Sequence, residues 1–256
     1  MSKFAHNKHN DVKTITPKWD APKNVRAYST TRIGGVSGAP YNSLNIGSHV
    51  GDKLDHVFEN RALIVDAIQA PTTPLWLTQV HGRDVAFIDC YYQHNESLEA
   101  DGTFTRDTGK VLCVGTADCL PVVVANNDGT AVSVMHAGWR GLADGVLQSG
   151  LAHFSETDQL HAWLGPAIGP NAFEVGKEVV DLFLSRNREN AAAFKPGQGG
   201  KFMADIYTLA RLQLNRLRPM KVSGGEHCTY TESDLFHSYR RDGAASGRMA
   251  TFVWLE

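Results

Sequence analysis

The chain has 256 residues and a net charge of −2 from 25 basic and 27 acidic side chains, a length that suits one large α+β domain or two small ones. Such a balance offers no field for nucleic acid or an anionic membrane surface, and no apolar run approaches the ~18 residues of a membrane span, so the expected partner is a small molecule. Four cysteines without a CxxC pair, and a polar N-terminus without an apolar signal core, point to reduced thiols in the cytoplasm.

In chain order, residues 1–18 read as a flexible lead-in and residues 19–256 as a single domain, with no internal repeat or composition break. Residues 25–28 read as a strand running into STTRIGGVS. There the hydroxyls, Arg32 and two adjacent glycines make either an ordinary surface turn or an anion cradle of backbone N–H groups and a guanidinium. An irregular polar stretch, 40–45, ends on Asn45 and either carries ligand contacts or links elements. Residues 54–69 read as an amphipathic helix. At ~100° per residue Leu54, Val57, Phe58, Ile64, Val65 and Ile68 share a stripe with Arg61 at its centre, where a guanidinium needs a carboxylate, carbonyl or ligand partner. Residues 75–80 read as a strand that includes Gln79 and leads into His81-Gly82, with 85–88 returning antiparallel to it. Residues 91–110 are polar and loop-rich with a turn at 100–103, and 111–116 is a strand feeding a hairpin.

That hairpin, in TADCLPVVVANNDGTAVSVMHAGWR, is the centre of the reading. Residues 120–125 are apolar and β-branched, 126–129 form a turn, and 131–135 alternate toward a second strand. With Asn127 and Asp128 as a two-residue loop, Cys119 faces His136. Directly opposed residues have Cβ atoms roughly 4.5–5.5 Å apart, close enough for a thiolate and an imidazole to share one metal ion, whereas a slip by one residue would separate them. The pair admits two readings: a buried free cysteine beside a backbone-bonded histidine, or two metal ligands. The flanking chemistry favours ligands, with Asp118 before the cysteine and the small residues of AGWRG, including Arg140, after the histidine. His81 is the best-placed third ligand. Three protein ligands leave a fourth position for water or substrate, the catalytic form of a zinc site, and copper tolerates the same donors. Beyond the hairpin, helices are expected over 138–154, 173–184 and 205–217, a short strand at 163–164, a glycine-rich loop at 191–201 and a closing strand at 249–255. The Arg240-Arg241 pair suits an anionic group or an ion-paired surface.

The segments STTRIGGVSGAPYNSLNIGSHVGD, WLTQVHG, TADCLPVV, MHAGWRGL, WLGPAIGPNAFEVG, DIYTLARLQL and CTYTESDLFHSYRRDGAASGRMA resemble the YfiH-type laccase-domain family, whose members are also described as multicopper polyphenol oxidases or purine nucleoside phosphorylases. The resemblance runs from about Val25 to the C-terminus. It implies an α+β fold with mixed β-sheets sandwiched between helices, and a metal on His81 of QVHG, Cys119 of ADC and His136 of HAGWRG. It further implies a cytoplasmic, monomeric, zinc-dependent enzyme that phosphorolyses adenosine, inosine, guanosine and methylthioadenosine with orthophosphate and deaminates adenosine. On this reading Arg32 and Arg61 are the expected phosphate contacts, and Asp118 either moves protons or orients a ligand. Asn45, Gln79 and Arg140 adjoin the motifs expected to line the pocket. Two alternatives stay open. One is a copper-dependent phenol oxidase, although the 11 histidines include no His-x-His pair, which the several copper centres of a laccase use heavily. The other is a metal-free cysteine hydrolase acting on peptidoglycan precursors, with Cys119 as nucleophile and His136 as base.

Overall fold

The run Leu120–Asn126 is buried at every residue, and its alternation sets the layering. Val123 and Ala125 point into a cluster with Val25, Ala27, Leu112, Val114, Val253 and Leu255. Leu120, Val122 and Val124 point the other way, onto Leu142, Val146, Leu147, Leu209 and Leu214. Successive residues of a strand face opposite sides, so a strand apolar on both sides must lie between two packed layers. Each Val or Leu so buried contributes about 1.5–3 kcal/mol relative to exposure. A charged residue at Val123 would be left between two sheets with no partner.

The computed structural model describes residues 12–92 and 98–256. A six-stranded sheet carries, in order, Lys221–Gly224, Leu160–Leu164, Leu120–Asn126, Val132–Ala137, Gly102–Thr105 and Val85–Phe87. Its two outermost pairs are parallel and its inner pairs antiparallel. An antiparallel four-stranded sheet, in the order Thr14–Ile15, Val25–Thr30, Met249–Leu255 and Leu112–Thr116, packs against one face of it. The helices Trp139–Asp144, Val146–Leu151, Lys177–Arg186 and Ile206–Leu217 cover its other face. The helix Leu54–Ala67 sets Ile64 against Cys113, Phe252 and Trp254 on the outer side of the four-stranded sheet. The result is a single α+β unit with two β-layers between helical layers, as the family resemblance implied.

Several expectations are corrected. The hairpin loop is not two residues long. Asn126 Oδ1 accepts the amides of Thr130 and Ala131, Gly129 takes φ 64°, and the loop spans 127–130. Pairing therefore moves by two positions: Pro121, not Cys119, faces His136. A shift of two keeps side-chain parity, so Cys119 and His136 still share a face. The turn expected at 100–103 gives way to strand from Gly102, for Gly102–Thr105 is wholly buried and pairs with Val132–Ala137. Only Leu77–Thr78 of the 75–80 strand forms, parallel to Leu98–Glu99, and Val85–Phe87 pairs parallel with Gly102–Thr105 rather than returning on it. The helix expected over 138–154 is broken at Gly145, whose φ of 98° no helix accepts.

The helix expected over 173–184 begins at Lys177, because Glu174–Val175 pairs as a strand with Phe202–Ala204. The loop 191–201 contains the strand Phe194–Pro196, which pairs with the same partner. On Leu54–Ala67, Leu54 and Phe58 are exposed while Asn60 is buried. Of the lead-in, residues 1–11 lie outside the described residues, and Thr14–Ile15 is an edge strand whose Ile15 packs on the inter-sheet core. Among the described residues no helix is long and apolar enough to cross a membrane.

Candidate metal centre and its cavity

His136 ends the strand Val132–Ala137 one residue early and is almost wholly buried. Its Nδ1 lies 2.7 Å from Asp101 Oδ1, and its amide donates to the Asp101 carbonyl at 2.6 Å. A carboxylate beside Nδ1 keeps the proton there and leaves Nε2 as the lone-pair nitrogen. The same carboxylate, itself fully buried, accepts the amides of Val80 at 3.2 Å, His81 at 3.0 Å and Gly82 at 2.6 Å. Those three bonds curl the chain so that His81 adopts φ 60°, a left-handed conformation that costs a non-glycine residue about 1–3 kcal/mol unless its surroundings hold it. One buried acid thereby fixes both histidines. Their ring centroids lie 4.8 Å apart at an interplanar angle of 79°.

Cys119 is delivered by a second strained residue. Asp118 has φ 81°, and its carboxylate accepts Thr229 Oγ1 at 2.6 Å, Ser238 Oγ at 3.0 Å and the Arg240 amide at 2.6 Å. Its carbonyl takes the Ile168 amide at 3.0 Å. The mouth of the hairpin is thus tied to the C-terminal segment. The small residues after His136 admit protein rather than ligand: a Cβ on Gly138 would lie 3.0 Å from Cys119 Sγ and 3.1 Å from His81 Cδ2, and one on Gly141 would lie 2.4 Å from the Gly82 carbonyl oxygen. As a result, one ligand atom from each of His81, Cys119 and His136 lies within 4.8 Å of the others. Among the described residues this is the one group of three or more His, Cys, Asp or Glu side chains so gathered.

The site favours a thiolate. Burial alone would push the Cys119 thiol up, but the charge of His136 and hydrogen bonds from both histidines outweigh it and bring it down to about 6. Burial works against charge on His136 as well. The sulfur's negative charge and the bond to Asp101 overcome it and raise that imidazole. A deprotonated sulfur, an imidazole oriented by a carboxylate and a second imidazole at the exposed side are the donor set of a three-ligand zinc or copper site with one position open. The residues fit the group.

The three donors line a cavity of about 950 Å³ shared with Arg61, Trp76, Gln79, Arg140 and Arg248. Of the expected substrate contacts, three line it. Arg61 donates Nε and Nη2 to the Ile46 carbonyl and stacks 4.0 Å over the Trp76 ring. Gln79 spends its carboxamide on the amide and carbonyl of Gly115. Arg140 is exposed, 4.4 Å over Trp139. Arg32 and Asn45 are not among the lining residues. The Arg32 guanidinium donates to the carbonyls of Asn42 and Ser233. The anion cradle around it is already filled, because Ser43 Oγ takes the amides of Gly34 and Gly35 and Asn60 Oδ1 takes that of Val36. Asn45 is buried and holds Gly47, Asp52 and the Arg248 amide. Arg240 and Arg241 clamp backbone carbonyls at 172, 174, 229, 230 and 236, and Arg241 also pairs with Asp242. Sequence reasoning missed Asp101, Arg248 and His49. Asp101 sits in an Ala-Asp-Gly run that reads as a turn, and neither of the others stands beside a motif that proclaims chemistry.

Two β-layers between helices, with three donors placed to hold a metal ion at the mouth of a cavity, define an α+β protein with a candidate metal site. The profile of a family described as "Multi-copper polyphenol oxidoreductase laccase" matches residues 26–256, and the chain belongs to that family. It is 49% identical over 244 residues to a protein of Escherichia coli (strain K12) called "Purine nucleoside phosphorylase YfiH", covering 95% of this chain and 99% of that one. A Haemophilus influenzae protein called "Purine nucleoside phosphorylase" is 44% identical over 96% of this chain and 100% of its own length. Among solved structures, Neisseria meningitidis protein NMB0706 superposes with a TM-score of 0.89 at 44% identity, covering 95% of this chain and 99% of that one. YlmD of Geobacillus stearothermophilus gives 0.86 at 29% identity, covering 96% and 99%.

Proposed function

We propose that this protein is a zinc-dependent purine nucleoside phosphorylase, acting on adenosine, inosine, guanosine and methylthioadenosine with orthophosphate, and that it also deaminates adenosine. The names of its relatives in Escherichia coli and Haemophilus influenzae support the first activity. The observation that carries the reading is the gathering of His81, Cys119 and His136 within 4.8 Å at a cavity of about 950 Å³, a volume that suits a nucleoside together with a second small reactant. When bound there, zinc would supply a Lewis acid for an oxygen of the incoming nucleophile. In phosphorolysis a phosphate oxygen bonds to C1′ of the ribose as the C1′–N9 bond breaks, and the electron pair leaves with the purine, which takes up a proton. In deamination water adds at C6 and ammonia leaves.

The chain's own residues hold and orient. Asp101 holds the proton on His136 Nδ1. Trp139, Phe173 and Tyr239 give the cavity aromatic walls suited to a flat base, and Arg140 stands exposed beside them. Asp118 is best read as orienting the loop that bears Cys119, since both of its carboxylate oxygens accept hydrogen bonds within the protein. Four free thiols, including exposed Cys90, accord with a reducing cytoplasm. The test is Cys119→Ala assayed with inosine and phosphate, products separated by chromatography, alongside zinc and copper analysis of the wild type. Unchanged hypoxanthine release refutes the site. A copper-bearing protein that oxidises phenols refutes the zinc reading.

One observation favours a second reading. A thiol lowered to about 6 beside a histidine that is itself backed by Asp101 has the form of a cysteine hydrolase, with peptidoglycan precursors as substrates. Activity that survives chelation but not thiol alkylation would select it.

A further inference from the structure

Segment 45–49 is held between two arginines. The Ile46 carbonyl accepts Arg61 Nε at 3.0 Å and Nη2 at 2.9 Å. The Ile46 amide donates to the Arg248 carbonyl at 3.2 Å, and the Arg248 amide donates to Asn45 Oδ1 at 2.9 Å. A Cβ on Gly47 would stand 2.8 Å from Arg248 Cγ, so only glycine lets that side chain lie along the segment. Arg248 Nη1 is then fixed on the carbonyls of Ser246 at 2.7 Å and Gly247 at 3.0 Å. The segment ends by presenting His49 to the cavity that holds Cys119 and both histidines.

These contacts fix two guanidinium groups on the cavity wall and leave donors over, and the exposed His49 shares that wall. Arg61 Nη1 and Arg248 Nε and Nη2 carry no hydrogen bond among the described residues, and no carboxylate there forms an ion pair with either guanidinium. Both guanidinium groups are half-buried, and positive charge partly withdrawn from water without a carboxylate partner is costly. Burial presses each of the three toward its neutral form, and at His49 the charges of Arg248 and Arg61 add to that pressure. An anion in the cavity relieves this. Two planar guanidinium forks match the oxygens of a tetrahedral oxyanion.

We infer that Arg61, Arg248 and His49 form a subsite for a phosphate group beside the metal ligands. This deepens the phosphorylase reading and rests on it for the identity of the anion. It also moves the phosphate contacts from Arg32, whose guanidinium is spent on carbonyls outside the cavity, to Arg248 and His49. The shared chemistry is the phosphate, which reaches the wall either free or as the ester of a nucleoside 5′-phosphate.

Isothermal titration of the metal-loaded protein with inorganic phosphate alone, and separately with AMP, tests the subsite without any turnover. The expected result is a phosphate Kd weakened about 10-fold or more by Arg248→Gln, largely restored by Arg248→Lys, and weakened about 3-fold by His49→Gln, with zinc content unchanged in all three and melting temperature unchanged in His49→Gln. Should Arg248→Gln fail to fold, His49→Gln carries the test, since His49 makes no hydrogen bond among the described residues. AMP binding with this pattern in the absence of phosphate binding assigns the wall to the ester. A wild type that binds neither, or variants that bind both within twofold of it, overturns the proposal. Phosphate bound at this wall without nucleoside cleavage would leave the subsite standing and sink the phosphorylase reading. Nucleoside cleavage with an unaltered KM for phosphate in both variants would do the reverse.

Discussion

Replacing Asp101 by Asn changes one atom in a carboxylate that receives four hydrogen bonds. Oδ1 takes His81 N and His136 Nδ1, while Oδ2 takes Val80 N and Gly82 N. An amide nitrogen at either position faces two donors. If it sits at Oδ2, two backbone amides lose their acceptor and the curl that gives His81 its positive φ is released. If it sits at Oδ1, His136 must shift its proton from Nδ1 to Nε2, and no lone pair is then free on the side where a metal shared with Cys119 would sit. Two lost bonds to a buried charged group, at about 1.5–3 kcal/mol each, amount to about 3–6 kcal/mol. On the zinc reading, losing the partner of a ligating histidine weakens metal affinity about 10- to 100-fold. Urea melts give the first quantity, and competition for zinc against a chromogenic chelator gives the second. An Asp101→Asn protein that stays within about 1 kcal/mol of wild type and holds zinc within twofold would show that this carboxylate does not organise the site.

Three further outcomes follow from the geometry. Gly138→Ala puts a methyl group 3.0 Å from Cys119 Sγ; zinc competition should show affinity reduced about 10-fold with stability lowered by no more than about 1 kcal/mol, and unaltered affinity would count against a close-packed site. Gly35→Ala places Cβ 2.3 Å from the Ser43 carbonyl oxygen and 2.4 Å from Oδ1 of the buried, hydrogen-bonded Asn60, neither of which can yield cheaply, so a loss of about 3 kcal/mol or more is expected in urea melts. His237 is fully buried with both ring nitrogens lacking a partner among the described residues. Burial, with the charge of Arg32 next, depresses its pKa to about 3. The unfolded chain therefore binds a proton below about 6.5 that the folded chain refuses until about 3, so stability falls as pH drops through that window, by up to about 1.4 kcal/mol per unit. His237→Phe should flatten this acid limb in melts between pH 6.5 and 4, and an unchanged slope would refute the assignment.

What the sequence disclosed depended on whether the decisive contacts were local. The strands at 120–126 and 132–137 were legible because both are apolar and a short turn joins them. The loop length was not, because it depends on Asn126 using its side chain to hold Thr130 and Ala131. Cys119 and His136 survived that error by parity alone. His81 was found as a histidine before a glycine, yet the acid that aims it lies 20 residues on, in a run that reads as a turn. Arg61 was noticed because a charge stood within an apolar stripe. Arg248 gives no such signal: its role comes from a pairing with segment 45–49 across some 200 residues, which no periodicity records. Arg32 misled for the complementary reason, since glycines and hydroxyls around an arginine read alike whether they await an anion or hold one another.

The strand Met249–Leu255 lies between Val25–Thr30 and Leu112–Thr116, bonded to both. Both neighbours leave the ribosome long before it does and wait with open edges, prone to unwanted pairing, until it arrives. Arg248 emerges just ahead of it, and the tie from Ser238 and Arg240 to Asp118 only shortly before. A chain shortened by its last ten residues would lack both Arg248 and the strand that bonds these two neighbours, leaving the four-stranded sheet divided and the cavity wall incomplete.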